Sequence, residues 1–416
     1  MRASTAAFCL LVLAAWPAHT RAQSDLIGAE AFDLNLDLRA SVVGGEKGWL
    51  DGGFGKLREG GDNGDTQVRA TIASADIAWK PQFGFNVSGL VSATWQPDLP
   101  ENEVGLSEAF LNFRSNPAPT RFSARAGVFW PPISLEHSGS NWQVTDSITP
   151  SAINTWVAEE VKVLGFEGQV ETAFGAHELA LTGAVFLHND TSGTLLSYRG
   201  WALHDVRMTT NAYLPLPPLS PAVAPYQDEE TSPFWELDDR VGFYGRLDWT
   251  PPVPVTLNAF YYDNRGDGLS GRDMQGSWRT RFWNFGAMAT IDSRTAAKSQ
   301  FMFGNTIIGP DTPMGYPVDV DFTAAYLLVT RDVGPGKLSV RGDWFETSDN
   351  SYVAYDNNNE HGWAAMLAYK AALTDFAALV VEVLHVSSDR EGRQLYGGIN
   401  TEQEQTIGQL SVRFGL

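Results

Sequence analysis

The sequence predicts an all-β chain, a transmembrane antiparallel β-barrel of about 16 strands with short periplasmic turns and long external loops. Three observations lead there. Apolar and polar residues alternate in segment after segment. The connections between those segments alternate short and long. Beyond the first two dozen residues no apolar run reaches the ~18 residues that a membrane-spanning helix needs.

The segment "FDLNLDLRASV" at 32–42 sets the pattern. Phe32, Leu34, Leu36, Leu38, Ala40 and Val42 fall on one face of a strand, and Asp33, Asn35, Asp37, Arg39 and Ser41 on the other. "RFSARAGVFW" sets Phe122, Ala124, Ala126 and Val128 against Arg121, Ser123 and Arg125. "RVGFYGRLDW" sets Phe243, Leu247 and Trp249 against Arg246 and Asp248, and "KLSVRGDW" sets Leu338, Val340 and Trp344 against Arg341 and Asp343. The closing "QLSVRFGL" places Leu410, Val412, Phe414 and Leu416 opposite Arg413. Strands are expected to begin near 32, 66, 83, 104, 120, 161, 177, 239, 254, 278, 298, 319, 337, 361, 375 and 404.

Seven connections are short and rich in Pro, Gly and Asp, such as "NPAPT", "TPPVP" and "DVGPG". Eight are long, near 44–65, 97–103, 131–160, 188–238, 266–277, 309–318, 349–360 and 388–403. That arithmetic fits sixteen antiparallel strands with both termini on one side. The polar faces carry Arg121, Arg125, Arg246, Asp248, Arg341, Glu382 and Arg413, which need water. A wet lumen and a lipid-facing exterior serve both faces, and closure removes the strand edges that lipid forbids. Trp79, Trp95, Trp130, Trp249, Trp344 and Trp363 fall near strand ends, as interfacial girdles require.

The N-terminus reads as a secretory signal peptide over residues 1–22, with Arg2, the apolar "AAFCLLVLAAW" and a Thr-Arg-Ala cleavage site. The barrel then spans 23–416. The lone cysteine, Cys9, lies in the apolar run, so the remainder has no thiol chemistry and no disulfide framework. Loss of Arg2 and Arg21 moves the formal charge from −20 to −22. So acidic an exported chain excludes nucleic acid as a partner. Outer-membrane lipid and small solutes or ions are the partners expected.

Other chemistry is weak. His385 and Ser387 share one outward face, which would suit a lipid hydrolase, but neither a Gly-x-Ser-x-Gly nor a His-Glu-x-x-His motif is present. "DNRGDG" at 263–268 fails as a calcium loop because Arg265 and Met274 occupy ligand positions. "DNNNEH" at 356–361 reads as a solvated turn. No catalytic residue, metal ligand or cofactor site is assigned. The loop 188–238 contains the Pro-rich "YLPLPPLSPAVAPY", expected to be extended.

The stretch "RAGVFWPPISLEHSGSNWQVTDSITPSAINTW" at 125–156 resembles the phosphate-selective porin (O and P) family, through Gly127, Phe129, Pro131, Pro132 and Glu136. The terminal "LSVRFGL" is similar to the insertion signal of such barrels. The resemblance implies a porin, commonly a homotrimer, in the bacterial outer membrane. It implies that the third long loop, 131–160, folds into the lumen as the constriction, with Glu136, His137, Trp142 and Asp146 as its candidate residues. That loop has no Lys or Arg at 131–160. The pore-lining candidates are the wall arginines Arg39, Arg121, Arg125, Arg246, Arg341 and Arg413, interspersed with Asp33, Asp37, Glu108, Glu167, Asp248, Asp343 and Glu382. This mixed lining suits passive diffusion of small polar or charged solutes. An anion- or phosphate-selective channel, a barrel enzyme and a surface receptor are the alternatives.

Overall fold

A computed structural model describes residue 26 and residues 28–61, 64–353 and 356–415. The signal-peptide segment 1–22 and the terminal Leu416 lie outside the described residues.

Sixteen strands close into one antiparallel barrel. They are β1 (Phe32–Gly45), β2 (Gly64–Trp79), β3 (Val87–Trp95), β4 (Val104–Arg114), β5 (Thr120–Phe129), β6 (Val163–Phe174), β7 (His177–Leu187) and β8 (Gly242–Thr250). There follow β9 (Val255–Asp263), β10 (Arg279–Asp292), β11 (Thr295–Ile308), β12 (Val318–Val333), β13 (Gly336–Asp349), β14 (Glu360–Thr374), β15 (Ala377–Arg390) and β16 (Glu402–Gly415). Every predicted strand exists, and each starts within four residues of its expected position. The largest offset is at β3. Phe83 and Phe85 continue the apolar parity but belong to the turn, where the Phe83 N–H bonds the Val87 carbonyl. Closure joins β1 to β16 in register from Asn35↔Gly415 to Val43↔Ile407. The shortest periplasmic turns, such as that between β6 and β7, hold two residues.

Side-chain parity follows the sequence. Leu34, Leu38, Val42, Leu181, Val340, Leu367 and Val383 stand outward and exposed, as a lipid-facing band requires. Trp249 and Trp363 are outward near strand ends, and Trp344 is outward opposite Trp363 on the neighbouring strand. Trp130 is not part of a girdle. It is 2% exposed, turned into the barrel beneath Trp142.

The lumen departs from the wet interior that the alternation predicts. From β8 to β15 much of the inward face is itself apolar, with Tyr244, Phe260, Tyr262, Phe282, Phe322, Tyr326, Phe345, Met366 and Leu384 all buried. These strands are greasy on both faces because protein fills the barrel against them. The filling comes from the connections 130–162 and 188–241. The first carries helix α1 (Ala152–Glu160), every residue of which is buried. Ser151 caps it, its Oγ accepting the Asn154 N–H at 3.3 Å. The second carries the short helix α2 (Thr194–Tyr198) and packs Leu196, Trp201, Leu203 and Met208 beside Trp156 and Val157 of α1. A last short helix, α3 (Glu391–Gly397), crosses the β15–β16 connection.

Leu367 sits at the middle of β14, outward. Leu367→Arg is expected to cost about 2–4 kcal/mol of stability in urea unfolding from lipid vesicles. A loss under ~0.5 kcal/mol would place that face in water instead.

Candidate functional site

The site is the mid-height of the lumen, where two connections meet the barrel wall. Each candidate wall arginine points inward by parity, and its partners define the arrangement. Arg39 Nη2 lies 2.7 Å from Asp37 and 2.7 Å from Asp205 of the second connection. Arg125 forks onto Glu167 at 2.7 and 3.0 Å, donates to the Trp130 carbonyl at 3.2 Å and covers the Phe129 ring. Arg246 grips Asp248 and donates to the Pro132 carbonyl. Arg341 bonds Asp343 at 2.8 Å, Glu136 at 3.2 Å, and the Thr149 and Pro150 carbonyls at 2.6 and 2.9 Å. Arg413 bonds Asp37 at 3.1 Å and the Val144 carbonyl at 2.8 Å. Arg121 alone stays clear of both connections, half-exposed beside Glu171. Five of the six thus hold the inserted chain rather than face open water.

The four loop candidates are all inside. Glu136 accepts from Ser151 N (2.9 Å), Ser151 Oγ (2.5 Å) and Asn154 Nδ2 (2.5 Å), tying the loop to the first turn of α1. His137 bonds Ser134 at 2.8 Å and stacks on Trp142, whose other face stacks on Trp130 at 4.2 Å. Burial, reinforced by the Arg207 charge, pushes the His137 imidazole well below its usual range, so it is neutral. Asp146 reaches Lys298 at 2.8 Å and Lys337 at 3.1 Å. Burial opposes its ionisation, but those two lysines outweigh it and hold the carboxyl below the ordinary range.

The sequence leaves open whether the second connection caps the pore, clasps a neighbour or waves free; its polar residues anchor the filling. Arg199 forks onto Glu159 of α1 at 2.5 and 2.7 Å. His204 Nε2 lies 2.6 Å from the same carboxylate, while its Nδ1 accepts the Val206 N–H, so Nε2 carries the proton. Burial opposes charge on Glu159, yet Arg199 and His204 bring it down to about 2. Its neighbour Glu160 pairs with no cation among the described residues. It accepts from Leu195 N (2.8 Å), Gly193 N (3.1 Å) and Trp156 Nε1 (2.7 Å), yet burial prevails and pushes it up to about 7. Glu360 of β14 takes Lys56, Arg390 and the Trp201 N–H. Gly200, at φ +82°, must be glycine, since a Cβ there would overlap Glu360. Arg207 reaches Asp76 at 2.8 Å, and Arg58 bridges Asp98 and Asp205.

The result is a plug. Inward side chains around the ring are sealed among the described residues: Ser92 and Ser107 at 1%, Asn284 at 0%, Gln300 at 1%, Ser339 at 0%, Glu382 at 1% and Ser411 at 0%. Asp37, Ser74, His137, Asp205, Arg207 and Arg413 surround a void of about 20 Å³, room for one water. Toward the periplasm the barrel opens into a polar vestibule of about 590 Å³ with Asp33, Asp375, Lys370 and Arg413 on its walls.

His385 bonds Thr406 at 2.8 Å and rests on Trp363, which occupies it away from Ser387. Asp190, Glu236 and Asp238 bring carboxylate oxygens within 4.8 Å of one another. Those oxygens are taken by the N–H groups of Leu237, His188, Asp239 and Arg240, which makes the cluster a clasp for the ends of the second connection.

Among solved structures the fold is similar to the outer membrane channel DcaP of Acinetobacter baumannii, with a TM-score of 0.53, 10% identity and coverage of 92% of this chain and 97% of that one. It is similar to an anion-selective porin from Comamonas acidovorans, with a TM-score of 0.51, 9% identity and coverage of 92% and 98%. OprB of Pseudomonas putida gives 0.51, 11%, 93% and 94%. No protein-family model and no curated protein matches the sequence. The chain has the general bacterial outer-membrane porin fold, and the likeness does not single out the phosphate-selective family.

Glu160 gives the plug a pH dependence. Its carboxyl titrates near 4.5 when free and near 7 when sealed. The sealed state therefore has its full support from this group below about pH 4.5 and loses it as pH rises through 7. Trypsin cleavage after Arg199, corrected against an unstructured peptide, is expected to rise from pH 6 to pH 8 and to flatten in Glu160→Gln. An unchanged slope in that variant would assign the effect to another group.

Proposed function

We propose that this chain is an outer-membrane channel for passive diffusion of small polar or charged solutes, and that it rests closed. The observation that carries the reading is the polar seam between plug and wall. The porin-fold barrel keeps a charged inward face on β1–β5 and β15–β16, yet presses it against inserted chain. Several inward atoms find no protein partner there, among them Arg39 Nε and Nη1, Ser92 Oγ, Ser388 Oγ and Arg390 Nε. Each such group costs roughly 1–3 kcal/mol while sealed, and entry of water returns that energy. Unpartnered atoms of this kind lower the cost of letting water into this seam. The connection 130–162 acts in this reading as the constriction, and 188–241 as its backing. Assembly as a homotrimer in the outer membrane belongs to the same reading.

A phosphate-selective channel is the second reading. It rests on the resemblance of 125–156 and on Lys298, Lys337, Lys370 and Arg413 near the periplasmic vestibule. Asp33, Asp37, Asp146 and Asp375 offset those cations, which favours weak selectivity.

Planar-bilayer recording under a salt gradient tests both. Wild type is expected to show rare, brief steps with a reversal potential near zero. Arg199→Ala leaves Glu159 buried with half its partners, a loss of about 3–5 kcal/mol to the sealed state. Its open probability should rise by roughly a hundredfold or more. A strong anion preference, lost in Arg125→Glu, would favour the second reading. Silence from both well-folded proteins would overturn the channel itself.

A further inference from the structure

The long-loop end of the barrel holds a feature that solute diffusion does not require. A cavity of about 720 Å³ opens there, walled by four connections that converge over the plug. Its size suits a ligand of one or two rings. Tyr198, Tyr226 and Tyr352 reach it from separate segments, and Val223, Ile308 and Val318 make its apolar base. Among the described residues, its only charged lining groups are Arg272 and Asp273, which lie 3.6 Å apart and cancel. A neutral, apolar cleft is conspicuous in a chain of formal charge −20.

The cavity is built rather than left over. The Pro-rich run ends in a helical turn in which Ala224 N bonds Ser220 O at 2.9 Å and Gln227 N bonds Val223 O at 3.1 Å. That turn delivers Val223, Tyr226 and Gln227 to one wall. The opposite wall is the hairpin Gly271–Arg272/Gln275–Gly276, whose tip holds Asp273 at φ +50° and Met274 at φ +56°. Positive φ at both tip residues is the type I′ geometry that closes a two-residue hairpin, which makes this wall a defined element. Two bonds lock the hairpin to the turn's segment: Asp228 N to Met274 O at 3.0 Å, and Gln275 Nε2 to Glu230 O at 2.6 Å. Tyr226 and Leu269 remain 79% and 73% exposed at the rim, an apolar lip in contact with water.

We propose that this vestibule binds a small, uncharged aromatic solute and is the admission site of the channel. Aliphatic and tyrosine side chains supply contact to a ring face, while the amide groups of Gln227 and Gln275 are already spent on the Asp228 and Glu230 carbonyls. The base of the site is the plug. Tyr198 ends α2, packs edge-on against Trp278, and precedes Arg199, which clasps Glu159. A ring seated on Tyr198 therefore touches the element that must move. The admission role rests on the channel reading, whereas binding does not.

Equilibrium dialysis of the full chain in lipid nanodiscs, with p-cresol as probe and glucose as control, tests the binding. One saturable p-cresol site per chain is expected, weakened at least tenfold in Met274→Asp and in Tyr226→Ala. Both positions are exposed, so neither change disturbs the buried packing. Absence of saturable p-cresol binding in wild type would overturn the site, and so would equal binding by both variants. Saturable glucose binding in place of p-cresol would overturn the aromatic assignment. Conductance without p-cresol binding would leave the channel reading standing and remove this one. Binding without conductance would do the reverse.

Discussion

In lipid every backbone N–H and C=O must find its partner inside the protein, and no other constraint shapes this molecule as much. A sheet meets it only by closing on itself, and β1 meets β16 over Asn35–Val43 for that reason. Closure then dictates parity, because each strand shows one face to acyl chains and the other to the interior. Parity in turn dictates where charge can go. Arg39, Arg125, Arg246, Arg341 and Arg413 all stand on the inner face, and none could be moved one residue along its strand without facing lipid. An inner ring of fixed cations is thus a consequence of closure, before any solute is considered.

What fills the ring follows from the same logic. A buried guanidinium needs acceptors on several sides. Arg341 finds a carboxylate on its own strand and another on the inserted loop, then spends its remaining donors on two loop carbonyls. The wall arginines therefore read the path of the loop backbone and fix its register. The plug holds its own buried pair in Glu159 and Arg199, which ties the two connections to each other. A uniformly apolar plug would bind the wall at least as strongly but would have no preferred register, since hydrophobic contact is non-directional.

The strands were legible because lipid imposes a period of two that leaves little freedom, and β1, β5, β13 and β16 show it residue by residue. Turn residues marked the periplasmic ends for the reasons that Pro and Gly always do. The inward arginines were legible for the same reason, and so was the loop bearing Glu136, through its resemblance. The plug in 188–241 was not. Arg199, Trp201, His204 and Arg207 lie in irregular chain, where no period announces which side chains meet. A signal existed elsewhere. "AAMLAY" at 364–369 and "FTAAYLLV" at 322–329 are apolar on both faces, and a strand with lipid on one side is greasy on the other only when protein lies there. Trp130 misled for a related reason: a strand-end tryptophan is a girdle residue only if the chain beyond it stays at the interface, and here it turns inward.

The plug meets two unlike walls, and their difference sets how it can part from them. Against β9–β14 it presents Trp156 and Trp201 to Phe282 and Phe322, with ring centroids 5.2 to 6.2 Å apart. Parting there exposes apolar surface with nothing gained from water, at about 25 cal/mol per Å². Against β1–β4 it presents Asp205 and Arg207 to Arg39 and Asp76. Parting there rehydrates four charges, which offsets most of the lost attraction. Of the two seams, the polar one is the cheaper to separate, and it is also the one that borders the residual void between Asp37, Asp205 and Arg207. Water entering that void meets the polar groups of Asp37, Ser74, Asp205, Arg207 and Arg413. The apolar seam then acts as the fixed edge about which the remainder of the plug can move.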